Sequence, residues 1–308
     1  MEKVHVIVNP YSAHGKTGQR WEIIKTIIKH YFSEFKYVFT EKPKQATEIT
    51  REILSEGFDL IIGIGGDGTL NEIMNGFFTG NSKSVMNDEA ALGIIPSGTG
   101  SDFVRFLKIP RDFRKSVELI KNSKKNKFDV GKITFSGNEN ENSNKYFINI
   151  ADFGLGADVV KNLSHVPESK RGPLSYYTGM LSTIKNFRSK NVEILIDGKK
   201  KIEGKYLIGA IANGGIFGGG MIIAPDAKVD DGYFDVILVK EMKKFEIIRN
   251  TPHLYRGTIM NNRKVEFFRA KKIEVFSKED VNLEFDGESG EKIPAKFEIV
   301  EKILNFRI

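Results

Sequence analysis

The chain contains no cysteine. That absence excludes a disulfide framework, a thiolate zinc site, a cysteine-ligated iron–sulfur cluster and thiol nucleophiles. Any catalysis must therefore rest on carboxylates, hydroxyls, backbone amides or bound ions. The first residues, Met1 to Val6, lack the basic stretch followed by an apolar run of a secretion signal, so cytoplasmic residence is expected. Long apolar runs are also scarce. The nearest is Tyr206 to Ala224, but Gly209, Gly214, Gly215, Gly218, Gly219 and Gly220 crowd it, and Lys205 and Asp226 flank it. Such a segment suits a buried strand, a glycine loop and a second short apolar piece better than a membrane span.

What is present is enough for two globular domains: 308 residues, 40% hydrophobic and 28% charged. Basic residues number 47 against 40 acidic, a net charge of +7 that favours anionic partners without choosing among a nucleotide, an acidic lipid surface or nucleic acid. The lysine runs are scattered and accompany no recognition element, so nucleic acid is not an expected partner.

Short apolar runs at Val4 to Val8, Phe35 to Phe39, Asp59 to Ile64 and Ala91 to Ile95 alternate with helical patterns over Gly18 to Tyr31, Lys44 to Leu54 and Thr69 to Phe78. This alternation predicts a mostly parallel sheet covered by helices in an α/β domain, residues 1–125. After the lysine-rich stretch Lys121 to Lys127, strand-like runs predominate and predict a β-rich domain, residues 126–308, whose final segment is free to return to the first.

The strongest local signal is Gly63-Ile64-Gly65-Gly66-Asp67-Gly68-Thr69-Leu70-Asn71-Glu72, at a strand exit. Glycines clear space for phosphate oxygens, and a following helix turns unpaired N–H groups toward them. A plain strand-to-helix turn is the competing reading. The segment lacks the Gly-Lys-Ser/Thr end of a Walker loop and the spacing of the dinucleotide fingerprint. A second loop, Pro96 to Thr99, sits at the next strand exit. Asp67 is not itself an attractive phosphate contact, and a magnesium ion or its water shell between them resolves the conflict of charge. Two acidic turns in the second half, Asp226 to Asp235 and Phe285-Asp286-Gly287-Glu288, read by themselves as ordinary polar turns.

Gly65-Gly66-Asp67-Gly68-Thr69-Leu70-Asn71-Glu72 resembles the nucleotide-binding motif of the diacylglycerol kinase catalytic-domain family, which includes bacterial lipid kinases and sphingosine kinases. Asn9-Pro10 resembles that family's opening element, Thr40 a nucleotide-contacting threonine, and Ser97-Gly98-Thr99 its later Gly-Thr loop. Ser101 departs from the family's usual asparagine, and Asp102 is expected to cap or position the helix that begins near Phe103. Ala224 to Asp235 resembles an element where relatives hold magnesium through one carboxylate and two carbonyls, here Asp231 with the backbone of Lys228 and Tyr233. Asp286-Gly287-Glu288 matches the position of the family's proton acceptor.

The resemblance implies a fold shared by NAD kinases and diacylglycerol kinases, an α/β domain followed by a β-sandwich-like domain. It implies an enzyme that uses ATP and Mg2+ to phosphorylate a lipid hydroxyl, most simply that of diacylglycerol. Glu288 is then the first choice for the base, with Asp286 orienting it or substituting for it, and Asp67 organises the catalytic magnesium through water. A peripheral, transient contact with an anionic membrane surface is expected, through exposed apolar residues between Phe153 and Tyr177 rimmed by Lys161, Lys170 and Arg171. A homodimer is left open. The competing functions are an NAD kinase and a nucleotide-binding regulator without turnover.

Overall fold

The computed structural model describes residues 2–79, 84–98, 101–135, 144–164 and 173–308. The chain forms two compact units, residues 1–129 with 301–308, and residues 130–300.

In the first unit, β1 (Val4–Val8), β2 (Lys36–Phe39), β3 (Leu60–Gly65) and β4 (Ala91–Pro96) run parallel in the order β2-β1-β3-β4. The end of the chain's last strand adds beside β4, with Asn305 opposite Ala91. The helices are α1 (Lys16–Gln19), α2 (Trp21–Tyr31), α3 (Gln45–Ser55), α4 (Asp67–Gly76), α5 (Asp102–Phe106) and α6 (Phe113–Asn122).

Alternate residues of the strands, Val4, Val6 and Val8 with Leu60, Ile62 and Ile64, meet Trp21, Ile24 and Ile28 of α2 and Val117 and Ile120 of α6 in one buried cluster. The two periods, 2 along a strand and 3.6 along a helix, bring these side chains to one layer. On the other face α4 lies so near β3 that a Cβ on Gly63 would stand 2.6 Å from the Ile73 side chain. Because β2 lies to one side of β1 and β3 to the other, the loops leaving β1 and β3 part at their carboxyl ends. Open α/β sheets bind ligands at such a reversal. The α6 helix was not expected. Its apolar residues Phe113, Val117 and Ile120 keep helical spacing, but four Lys or Arg side chains from Arg111 to Lys121 mask it as connector.

The second unit is antiparallel. It contains β5 (Lys125–Phe135, begun in the first unit), β6 (Lys145–Phe147), β7 (Ile150–Gly154), α7 (Leu155–Ser164), α8 (Pro173–Asn186), β8 (Lys190–Ile196) and β9 (Lys200–Ala212). A small hairpin follows, β10 (Ile216–Phe217) with β11 (Met221–Ile222), then β12 (Phe234–Lys240), α9 (Lys244–Tyr255), β13 (Val265–Ala270) and β14 (Lys272–Phe276). The last strands are β15 (Asn282–Phe285), β16 (Glu288–Lys292) and β17 (Ala295–Arg307).

The long β9 organises this unit: its first half pairs with β8, and its second half carries β7 on one edge and β12 on the other. One buried cluster joins Phe147, Phe153, Ile194, Phe234 and Phe297, and a second includes Leu163 of α7 and Met180 and Ile184 of α8, with Ile247 and Leu254 of α9 packed against it. The stretch Lys145 to Ala151 is divided between β6 and β7. Its amides at 148–150 turn away from strand pairing to a side chain described below. No described helix is long and apolar enough to cross a membrane.

Candidate functional site

Three strand exits of the first unit meet in one polar network. The Asn9 side-chain amide donates to Thr69 Oγ1 at 3.0 Å, and its own carbonyl oxygen accepts from the Tyr11 amide at 3.1 Å. Ser12, Thr17 and Ser97 join their hydroxyls in a buried chain of two 2.5 Å contacts, which ties the loop after β1 to the loop after β4. Pro10 packs on Gly18, and its carbonyl accepts the Gly18 amide at 3.1 Å. Thr40, buried at the exit of β2, donates its backbone amide to Val8 at 2.9 Å.

Glycine is required here by close approach. A Cβ on Gly98 would lie 2.5 Å from Gly66 Cα, so two backbones press together at the start of α4. A Cβ on Gly65 would run into the Thr69 side chain. Helix α4 begins at Asp67 with no side-chain cap, and its amino-terminal dipole faces this glycine-lined space.

Asp67 itself looks elsewhere. Its carboxylate accepts the amides of Asp102 at 2.6 Å and Phe103 at 3.3 Å, so it caps α5 from outside. Asp102, expected to cap or position that helix, stands in its first turn and pairs with Arg105 at 3.4 Å. Ser101 is buried in a left-handed conformation with φ 52°. Thr99 and Gly100 lie outside the described residues.

Other motif residues serve packing. Leu70 is fully buried, Asn71 accepts from the Asn75 side chain at 3.0 Å, and Glu72 accepts the amides of Lys44 and Ala46 at 2.9 and 3.2 Å. Glu72 thus anchors the start of α3, a role its place in the motif did not suggest.

In the second unit β15 and β16 join through Asp286-Gly287, both at positive φ, 48° and 86°. A two-residue hairpin loop with both residues left-handed favours Asp-Gly. The Asp286 carboxylate folds back to accept three amides, Ile148 at 2.8 Å, Asn149 at 3.0 Å and Ile150 at 3.1 Å. Glu288 follows the turn, opposite Phe285, and is half-buried.

Two carboxyls that sequence reading missed lie one strand below. Glu284 on β15 faces Asp152 on β7, both fully buried, and Glu284 accepts the Gly287 amide at 2.9 Å. Burial pushes Asp152 up to about 6 from an ordinary 3.8, with Asp158 adding like charge, while Glu284 and the Ala157 amide pull the other way. Burial also holds Glu284 well above 4.5, and the neighbouring Asp152 and Asp286 reinforce it. Alternation would have marked both positions as inward-facing, but an acid there reads as a strand edge.

The Asp231 carboxylate accepts from the Arg269 guanidinium and, at 3.2 Å, from the Tyr233 amide. Oxygen donors suit a hard cation in kind. With Arg269 already neutralising Asp231, the set Lys228, Asp231 and Tyr233 does not fit magnesium in this arrangement. No cluster of three or more His, Cys, Asp or Glu side chains able to hold a metal occurs among the described residues. The apolar residues expected to be exposed after Phe153 are largely core: Phe153, Leu155, Val159 and Leu163 are buried. Lys161 donates to Asn282 at 3.2 Å, and Lys170 and Arg171 lie outside the described residues.

Comparison with known proteins agrees along the whole chain. Residues 3–133 match the diacylglycerol kinase catalytic domain, and residues 149–307 match the YegS C-terminal NAD kinase beta sandwich-like domain. A diacylglycerol kinase of Bacillus subtilis (strain 168) is 30% identical over 305 residues, covering 96% of this chain and 93% of its own length. One from Staphylococcus aureus (strain bovine RF122 / ET3-1) is 32% identical over 303 residues, covering 98% and 90%. Among solved structures, a Bacillus anthracis diacylglycerol kinase shares the fold with a TM-score of 0.73 at 24% identity, covering 99% of this chain and 96% of its own. Yeast NADH kinase shares it more distantly, with a TM-score of 0.52 at 13% identity over 99% of this chain and 82% of its own. With curated relatives at this identity over nearly the full length, and with its glycine cradle and acidic turn in place, the chain belongs to the diacylglycerol kinase family.

Proposed function

We propose that the chain transfers the γ-phosphoryl group of ATP to the hydroxyl of diacylglycerol, the alcohol in its relatives' names, giving phosphatidic acid and ADP. The observation that carries this reading is the approach of Gly66 and Gly98 beside the start of α4, which leaves backbone amides and no side chains to meet phosphate oxygens. Gly65, Gly66, Gly68 and Thr69 form the cradle, with Asn9 holding the Thr69 hydroxyl in place. Pro10 and Thr40 shape the neighbouring exits, and Gly98 closes the cradle from the next loop.

Glu288 takes the proton of the acceptor hydroxyl as its oxygen bonds to the γ-phosphorus and the bond to ADP breaks. Asp286 is the poorer candidate for the base, because three amides already occupy its carboxylate, and we assign it to holding the turn. Magnesium, when bound, neutralises charge on the triphosphate. Asp67 would hold its water shell, and the same carboxylate accepts the amides of Asp102 and Phe103 at the start of α5. The turn at Asp231 enters no step.

The test supplies ATP, magnesium and a lipid extract and resolves the products by mass spectrometry. Phosphatidic acid formed with one ADP per lipid is expected. Phosphorylation of NAD, or tight ATP binding with no acceptor-dependent ADP release, overturns the reading. An acceptor that resides in a bilayer requires contact with a membrane surface, which we propose is peripheral and transient. A homodimer is a separate proposal that sedimentation tests.

A further inference from the structure

Helix α9 is apolar on two faces. Ile247 and Leu254 pack into the core beside buried Thr251. On the opposite side stand Phe245, Ile248, Pro252 and Tyr255, at spacings of three, four and three residues that place them in a single stripe. Phe245 is 71% exposed, more than any other large apolar side chain described, and Ile248 and Tyr255 are 48% and 39% exposed. Such a stripe on a surface helix is unusual, because water does not stabilise it there and single exposed apolar residues are the ordinary case.

The charges around the stripe are of one sign. Arg249 and Arg256 project within the same arc of about 120°, at about 100° of turn per residue, and both are exposed. The Arg249 guanidinium lies 5.9 Å from the Phe245 ring centroid. Lys243 and Lys244 stand at the start of the helix, where Lys244 donates to the Lys185 carbonyl. The acid on this helix, Glu246, is engaged by Lys264 at 2.9 Å and by the Lys243 amide at 2.7 Å.

We propose that the outward face of α9 is a membrane-docking surface for anionic bilayers, with Phe245, Ile248 and Tyr255 entering the headgroup region and Arg249 and Arg256 meeting lipid phosphates. Apolar side chains rimmed by cations on a helix lying in the interface plane are the physical requirements for such docking. Charge complementarity selects the occupant: a second copy of the chain would set these cations against their own kind across a two-fold axis. The proposal rests on the lipid-kinase reading for its choice of partner, and on the helix alone for its place.

The test measures cosedimentation of the full chain with phosphatidylcholine vesicles, with and without phosphatidylglycerol, for wild type, F245A/I248A and R249E/R256E. Each double variant is expected to weaken binding to the anionic vesicles by roughly tenfold or more, with the melting temperature unchanged. Phosphorylation of a short-chain, water-dispersed diacylglycerol should stay at the wild-type rate. Unchanged vesicle binding in both variants overturns the proposal. So does a wild-type dimer that F245A/I248A dissociates without loss of vesicle affinity, which would assign the face to a second copy. Wild type that binds vesicles through this face yet phosphorylates no lipid alcohol sinks the kinase reading and leaves the docking surface standing.

Discussion

Asp286 and Glu288 are two residues apart: three amides hold the Asp286 carboxylate, whereas Glu288 is half-buried after the turn. Two expectations follow from the contrast. Glu288→Gln should lower turnover by about 10²- to 10⁴-fold, the span of a lost general base, read by steady-state kinetics on folded protein. Asp286→Ala should cost on the order of 3 kcal/mol of stability by leaving inward-facing amides unsatisfied, read by chemical denaturation.

Asp152 carries a third expectation. Its folded value of about 6 lies above its ordinary 3.8, so the folded state prefers the protonated form. Stability from this group is complete below about pH 4 and is lost as pH rises through about 6. Asp158 adds like charge and pushes Asp152 the same way, whereas Glu284, itself held well above its ordinary value, pulls against it. Asp152→Asn should therefore gain stability over wild type, by on the order of 2 kcal/mol at pH 8, and the gain should vanish at pH 4 in urea melts. A variant no more stable at pH 8 than at pH 4, relative to wild type, refutes the assignment. The sequence marks the Asp-Gly-Glu triplet as a tight turn, because few residue pairs tolerate two left-handed positions. It does not say which acid is consumed by backbone, since the amides that consume Asp286 lie more than a hundred residues earlier in the chain.

At the scale of elements, the helix after the glycine loop begins earlier than the residues predict. Thr69 to Phe78 was the expected helix, whereas α4 runs Asp67–Gly76. The first turn was hidden because Asp67 and Gly68 read as loop residues. Gly98→Ala would force a methyl to 2.5 Å from Gly66 Cα. We expect it to raise the dissociation constant for ATP by at least about tenfold, the equivalent of about 1.4 kcal/mol, measured by calorimetry. Glu72→Ala should act differently. It uncaps α3 and should cost about 1 kcal/mol of stability, with little change in ATP affinity. A large loss of ATP affinity in folded Glu72→Ala would return Glu72 to the nucleotide.

At the scale of the molecule, the last strand completes the sheet of the first unit. Phe306 is fully buried, stacked on Phe128 at 5.1 Å with planes 7° apart, and Lys302 donates its amide to Asp129 at 2.7 Å. Phe306→Ala should cost about 3–5 kcal/mol in a denaturation curve, although it belongs to no motif. An effect below 1 kcal/mol would mean that the strand contributes little to that unit.

The local decisions were available from the residues alone. Short apolar runs set the strands of the first unit almost to the residue, helical spacing set α2 and α3, and the glycines of Gly63 to Gly68 marked a strand exit followed by a helix, because propensity, periodicity and turn chemistry act between near neighbours. Tertiary structure decided what depends on distant partners. Asp67 turns its carboxylate to the amides of α5, Glu72 to those of α3, Arg269 occupies Asp231, and Asp152 meets Glu284 across two strands. Hydrogen bonds and charge pairing are short-ranged in space and indifferent to sequence separation, so only the folded chain settles which polar groups remain to meet a ligand.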